Sequence, residues 1–390
     1  MRNKNNKTIG IDARFWGEAG PGRYTKALIQ HLEKIDHKNS YLIFLRKKGF
    51  EDYQPQAKNF KKILAHYKWY SFEEQTAYLL KLLKQKLDLY YVPHFNVPIF
   101  YPGKLVTAIP DIIMHKFSTN RATTLTSPKF LLKKFAYHLA MFTAVTRSKK
   151  IIVPTKVVKE DFLNFYPFLN TEKIVVAPEG VDPDFTKDTT KEYEEQVLEK
   201  LGVKGDFLLY VSSMYRHKNV ENLIDAFVVL KKKYGYKGQL ILIGKKDYFS
   251  ERVGEYVKEI GGEIGGKDIL MPGLENYVED SEIVALRKRA QLYVFPSLQE
   301  GFSLTPLEGM IWNLPAVISD IPCHKEVYGD SVEYFDPNDV ENIAETINKV
   351  LKNGDLQEEL RKKGRERVKM FDWNKTAEIT YRIFGEVLSR

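Results

Sequence analysis

Short apolar runs alternate with helix-patterned segments along this chain, twice over, and that alternation sets the fold class. Residues 8–12 (TIGID), 41–45, 88–92, 105–109, 150–154 and 173–178 read as buried strands. Helical periodicity fills 24–32, 72–87 and 127–145 between them. The pattern restarts with strands over 207–211, 239–244, 269–273, 291–295 and 316–319. Helices follow over 220–234, 282–290, 340–351 and 356–369, and an amphipathic one over 375–388 closes the chain. Strands alternating with helices make parallel sheets covered on both faces. The 390 residues suffice for two such domains. The expectation is an α/β chain of two Rossmann-like domains, 1–184 and 185–372, with 184–200 as the connection.

Composition narrows the partners. No apolar run reaches the length of a membrane span, and TIGID is too short for a signal-peptide core. A single cysteine, Cys323, excludes an intrachain disulfide and a cysteine-based zinc site, and a cytoplasmic location fits. The charge is uneven: residues 1–190 carry 31 Lys+Arg against 17 Asp+Glu, and residues 191–390 carry 29 against 34. A basic half can meet an anionic membrane or a phosphorylated acceptor. Residues 112–150 hold ten Lys, Arg or His and no acid. Within them Phe130, Leu131, Phe135, Leu139 and Phe142 interleave with Lys129, Lys133 and Lys134. This reads first as a helix packed on a sheet and second as a peripheral surface lying on anionic lipid. No recognised module accompanies the charge, so nucleic acid is not an expected partner.

The stretch 295–314, FPSLQEGFSLTPLEGMIWNL, carries the chemistry. Thr305 and Pro306 mark a helix start after an apolar strand. Glu300 and Glu308 bracket a loop leading to backbone N–H groups that suit phosphate. A carboxylate beside a phosphate site usually binds hydroxyls, as on a ribose or a sugar. Upstream, Arg216 and Lys218 stand between a strand and a helix, where two cations suit a diphosphate. Gly17, Gly20, Pro21 and Gly22 form a loop that either lets a ligand approach the backbone or is a plain turn. His94, Asn96 and Asp111 follow strand ends, where functional residues of open α/β sheets gather. His94 reads equally as an interior histidine. Cys323 and His324 are adjacent, which makes a poor metal site, so no metal is expected.

Taken in order, these motifs resemble the retaining glycosyltransferases of family 4, the glycosyl transferases group 1, which have the GT-B fold. The stretch EGFSLTPLEGMIWNLPAVI is similar to that family's Glu-x7-Glu signature. The opening IDAR…GPGRYT, the Glu179-Gly180-Val181-Asp182 stretch and Arg216-His217-Lys218-Asn219 are similar to further family motifs. The resemblance spans nearly the whole chain. It departs at Pro110-Asp111, where relatives commonly carry His-Asp.

The resemblance implies two Rossmann-like domains with parallel sheets facing across a cleft, the last helix, 373–390, returning to the first domain. It implies transfer of a hexose from a nucleoside-diphosphate sugar to a hydroxyl of a glycan or polyprenyl- or lipid-linked acceptor, with retention and without metal or cofactor. GDP-mannose is the favoured donor and a UDP-sugar the next. By residue, the family pattern puts Asp111, Glu300, Arg216 and Lys218 at the chemistry. It puts Gly20, Gly22, Arg23, Gly273, Leu274, Gly301, Phe302, Ser303, Leu304 and Glu308 around the donor, with His94 and Asn96 on the acceptor side. An epimerase or phosphorylase of the same fold, and a donor-binding scaffold without turnover, stay open as alternatives.

Overall fold

The computed structural model describes residues 6–116, 127–181, 183–264 and 267–389. The chain divides into two units, Met1–Gly180 with Asp372–Arg390, and Val181–Phe371. The first crossing thus falls four residues before the expected 184, and the return falls at 371/372.

In the first unit seven strands lie parallel in the order β3-β2-β1-β4-β5-β6-β7. They are β1 (Thr8–Asp12), β2 (Ser40–Leu45), β3 (Phe60–Leu64), β4 (Leu89–Val92), β5 (Leu105–Ala108), β6 (Lys150–Val153) and β7 (Ile174–Val176). Successive residues point to opposite faces, and both faces are covered. Ile9, Ile11, Tyr91 and Val106 pack with Leu28 and Leu32 of the helix Ala19–Ile35 and with Trp373, Ile383 and Phe384 of the last helix, Trp373–Ser389. Tyr90, Val92, Leu105 and Ile151 pack on the other face with Tyr137, Met141 and Phe162. Burial on both faces is why these strands read as unbroken apolar runs. The second unit repeats the plan with β8 (Phe207–Val211), β9 (Gln239–Ile243), β10 (Ile269–Leu270), β11 (Leu292–Phe295), β12 (Ala316–Ser319) and β13 (Glu333–Phe335). All are parallel, in the order β10-β9-β8-β11-β12-β13. The two Rossmann-like units are those expected.

Several local expectations change. The strands without a sequence signal, β3 and β13, are sheet edges with partly exposed positions, which dilutes the apolar pattern. The connection expected over 184–200 contains a 3-10 turn, Pro183–Thr186, and a helix, Lys191–Lys200, whose Thr190 side chain caps Tyr193 N–H. Few residues of that helix are buried, so it carries little apolar stripe. The strand expected over 269–273 stops at Leu270, because Pro272–Leu274 turns into a 3-10 segment. Residues expected as helix over 72–87 contain a π-turn, Glu74–Tyr78, then an α-helix, Leu79–Lys84. Glycines 20 and 22 lie in the first turn of the helix Ala19–Ile35 rather than in a loop. Gly17 makes the turn instead, at φ 69°.

The basic helix is Ser127–Arg147, and its described part exposes Phe135, Leu139 and Phe142 while burying Tyr137, Met141 and Val145. The side chains of Lys129, Phe130, Leu131 and Lys133, and Asp182, lie outside the described residues. Among the described residues no helix is long and apolar enough to cross a membrane.

Candidate functional site

The strand order of the second unit reverses between β8 and β11, and the loops leaving those two strands flank the crevice where ligands of open α/β sheets bind. Lys218 stands in the loop after β8 and Glu300 in the loop after β11. The Lys218 Nζ donates to Glu300 Oε1 at 2.5 Å, with both side chains largely buried. The two loops are stitched by backbone and amide contacts. Leu298 N–H donates to the His217 carbonyl at 2.8 Å, and Asn219 Nδ2 donates to the Pro296 and Pro337 carbonyls at 3.2 and 2.7 Å. Asn219 takes a left-handed φ of 59°, which an Asn tolerates, and the helix Val220–Tyr234 starts directly after it. Arg216 is exposed on the same loop.

Charge at this site is balanced. Burial works against the Glu300 carboxylate, but Lys218 and then His217 outweigh it and hold its pKa below the ordinary value. The Glu300 carboxylate therefore stays ionised, and a second anion brought to the loop meets a lysine already poised there.

The loop after Glu300 differs from expectation in its helix start. The helix is Leu304–Met310, with Ser303 at the N-cap in the left-handed region, φ 74°. Thr305 and Pro306, expected to start it, are its second and third residues. Ser303 is held there by two contacts. Tyr328 OH donates to the Ser303 carbonyl, and the Ser303 hydroxyl lies 3.1 Å from His324 Nε2. His324 is fully buried, and its Nδ1 lies 2.9 Å from the Ser319 carbonyl oxygen. A carbonyl only accepts, so Nδ1 carries the proton and Ser303 donates to Nε2. Gly301 and Phe302 are buried, Phe302 edge-on to Phe371 at 5.2 Å, and Leu304 is half-buried.

Glu308 is 1% exposed and its Oε2 takes a hydrogen bond from Arg287 Nη2. Arg287 is equally buried, lies 4.6 Å over the Phe185 ring, and has Nε and Nη1 without a partner among the described residues. The family pattern offers Glu308 to a ribose; the structure commits one of its oxygens to Arg287. The Arg287 signal was present in the sequence. It falls four residues after Ile283 on the buried face of the helix Asp280–Arg289. The surrounding LRKRA run disguises it as a solvated charge. Gly273 and Leu274 follow β10, and a side chain on Gly273 would run into the Gly244 carbonyl, so that glycine is required by close backbone packing.

The first unit has its own reversal, between β1 and β4. There Arg14, just after β1, is fully buried and donates through Nε and Nη2 to both oxygens of Asp12 at 2.9 and 2.7 Å, and through Nη2 to Glu74 Oε1 at 2.5 Å. Asn96 Nδ2 donates to both oxygens of Glu74 at 2.7 and 2.8 Å. Asn96, expected on the acceptor side, is thus engaged in the interior, and so is His94. His94 is 9% exposed, its Nδ1 accepts from Asn96 N–H at 3.2 Å, and burial drops its pKa to about 4. Asp111 is half-buried and its Oδ1 accepts from Ile113 N–H at 2.9 Å. Arg23 is half-buried, and a side chain on Gly22 would run into the Phe15 carbonyl. Arg14 and Glu74 carried no motif of their own. They lie 60 residues apart, and only the sheet brings them together.

These buried histidines set a pH dependence. Burial lowers His324 from 6.5 to about 4, against the pull of Glu300 and with Lys218 adding to the drop. The unfolded chain binds a proton at a pH where the folded one does not. Stability present above pH 6.5 is therefore lost as the pH falls toward 4, by about 1.4 kcal/mol per pH unit for each such histidine. Burial raises Glu74, which has the opposite sign, so the bare melt mixes the two. Thermal melts from pH 7 to 4.5 should fall less steeply for His324→Asn than for the wild type. Parallel curves would remove His324 from this account.

The comparisons with known proteins agree with this geometry. The family profile of glycosyl transferases group 1 matches residues 194–367, which cover the Lys218 and Glu300 loops. The serotype-specific mannosyltransferase WbdA of Escherichia coli is 24% identical over 315 residues, 80% of this chain and 37% of that protein. The O-antigen chain mannosyltransferase B of Escherichia coli is 31% identical over 167 residues, 43% of this chain and 42% of that protein. The chain spans little more than a third of the length of WbdA. Among solved structures, sucrose-phosphate synthase from Thermosynechococcus elongatus superposes with a TM-score of 0.76 at 16% identity, over 98% of this chain and 100% of that one. HepE of Anabaena, solved with UDP-glucose, gives 0.74 at 14% identity, over 98% and 100%. At such identities the structures speak for the fold alone, and that fold is GT-B. Profile, relatives and fold converge with the paired Lys218 and Glu300 loops: residues 194–367 match the glycosyl transferases group 1 family, on a chain with the GT-B fold.

Proposed function

We propose that this chain is a retaining, metal-independent hexosyltransferase. It moves a hexose from a nucleoside-diphosphate sugar, GDP-mannose first and a UDP-sugar second, to a hydroxyl of a glycan or lipid-linked acceptor in the assembly of a cell-surface polysaccharide. The observation that carries the reading is the Lys218–Glu300 pair at the switch point of the second sheet. The mannosyltransferase relatives support the sugar, and the UDP-glucose bound to HepE supports the donor class.

The chemistry asked of these residues is electrostatic. Departure of the diphosphate puts negative charge where Lys218 and the exposed Arg216 stand, and preorganised cations there lower the barrier. They also take the role that a divalent ion plays elsewhere. When Lys218 turns toward the diphosphate it releases Glu300, whose carboxylate is then an acceptor for a sugar hydroxyl. Glu308, fixed by Arg287, offers its second oxygen to the ribose. Asp111, which follows β5, keeps the catalytic role that the family pattern gives it.

Thermal stability with GDP, UDP and ADP in turn tests this. A diphosphate at about a hundred times its dissociation constant adds roughly 2.7 kcal/mol. One of the three should raise the melting temperature of the wild type and fail to raise that of Lys218→Ala. No shift with any of them sinks the donor site.

A further inference from the structure

The residues expected on the acceptor side, His94 and Asn96, are turned into the interior, so the surface they support has to be read from its exposed members. The most exposed aromatic of that cluster is Tyr70. The residue is 59% exposed, and its ring lies 6.4 Å from His94 and 6.1 Å from Phe95, both of which follow β4 at the switch point of the first sheet. Phe95 in turn meets Tyr137 edge-on at 5.0 Å, and both Asp111 and Tyr70 act electrostatically on the Tyr137 hydroxyl. Tyr70 therefore borders the same carboxyl-end crevice as Asp111.

The backbone at Tyr70 is held against its preference. Its φ is 55°, a left-handed value that a bulky side chain rarely takes. Its N–H donates to Glu74 Oε2 at 3.0 Å. Glu74 is itself pinned by Arg14 and Asn96, on a π-turn, a feature that marks functional sites more often than plain helix does. Backbone strain maintained by a buried charge network points toward function at the side chain that it presents. The neighbouring Trp69 stacks its ring on Phe15 at 4.1 Å and fixes the chain beside Tyr70. An exposed aromatic face suits a ligand that is apolar on one face.

We propose that Tyr70 is a specificity-determining residue of the acceptor subsite, on whose exposed ring an acceptor saccharide lays its C–H face. This rests on the glycosyl-transfer reading. It assigns the acceptor class, a pyranose ring rather than a small alcohol or a bare lipid hydroxyl, to a residue outside every motif of the sequence.

The test uses the full chain, with GDP-mannose as donor and methyl α-mannoside as acceptor probe. Tyr70→Ala should raise the acceptor KM about ten-fold with little change in kcat, while Tyr70→Phe and Tyr70→Trp stay close to wild type. The GDP-induced thermal shift should be the same in all of them. Tyr70→Gly tolerates the positive φ, so it should melt close to wild type and yet lose the acceptor as Tyr70→Ala does. An acceptor KM unmoved in Tyr70→Ala, with the GDP shift intact, overturns the assignment while leaving the donor site standing. Should no diphosphate shift the wild type, saturation-transfer NMR with methyl α-mannoside still decides. Transfer that is present in the wild type and lost in Tyr70→Ala supports the platform. Transfer equal in both, or absent from the wild type, removes it.

Discussion

Arg14→Leu should destabilise the first unit by about 3–5 kcal/mol, the cost typical of removing one partner from a buried ion pair. The guanidinium is fully buried and serves Asp12 twice and Glu74 once. Its removal leaves two carboxyl groups in the interior without their cation. Asp12 keeps a hydrogen bond from Tyr90 OH at 3.0 Å and Glu74 keeps Asn96, which do not replace a full charge. Arg14→Lys should rescue little, because three directed N–H bonds from a planar fork cannot be copied by an ammonium. The local effect should exceed the global one at Tyr70, whose backbone is anchored through Glu74. Urea unfolding gives the magnitude. A loss under about 1 kcal/mol would mean that the network relaxes around the gap, and that Arg14 is replaceable packing.

Glu300→Gln and Lys218→Ala should separate binding from turnover. In the proposed reaction Lys218 receives the leaving diphosphate, so in Lys218→Ala both diphosphate affinity and turnover should fall, the latter by ~10²–10³-fold, as for one preorganised electrostatic group. Glu300→Gln releases Lys218 from its 2.5 Å partner and should bind GDP at least as tightly as the wild type. Turnover should still drop by a similar ~10²-fold, because the amide no longer accepts the sugar hydroxyl as a charge does. Calorimetric titration of GDP alongside initial rates of nucleotide release reads both quantities. If Glu300→Gln weakens GDP as much as Lys218→Ala does, the pair acts as one structural unit and the division of roles proposed for it fails.

The sites differ in how far the linear chain announced them. Lys218 and Glu300 were legible because each follows a strongly apolar strand, β8 and β11, and strand ends are where a parallel sheet concentrates chemistry. Ser303 was legible as a position but not as a conformation. Its left-handed φ depends on Tyr328 and His324, more than twenty residues further on. Glu308 was legible as an acid near a helix start, and its burial against Arg287 was not. An ion pair between two helices leaves no spacing rule behind.

Sequence alone determined the double α/β plan. Strands covered on both faces must be apolar throughout, and helices covering them must be apolar on one stripe, so each element writes its burial into its own residues. Sequence alone also determined where the two central loops fall. The tertiary structure decided which charges meet. Arg14 with Glu74, Arg287 with Glu308 and Lys218 with Glu300 are separated by 60, 21 and 82 residues. Their pairing depends on the order of strands in each sheet, which no local pattern encodes. It also decided that His94 and Asn96 support a surface rather than form it, because burial is a property of the assembled unit and not of the residue.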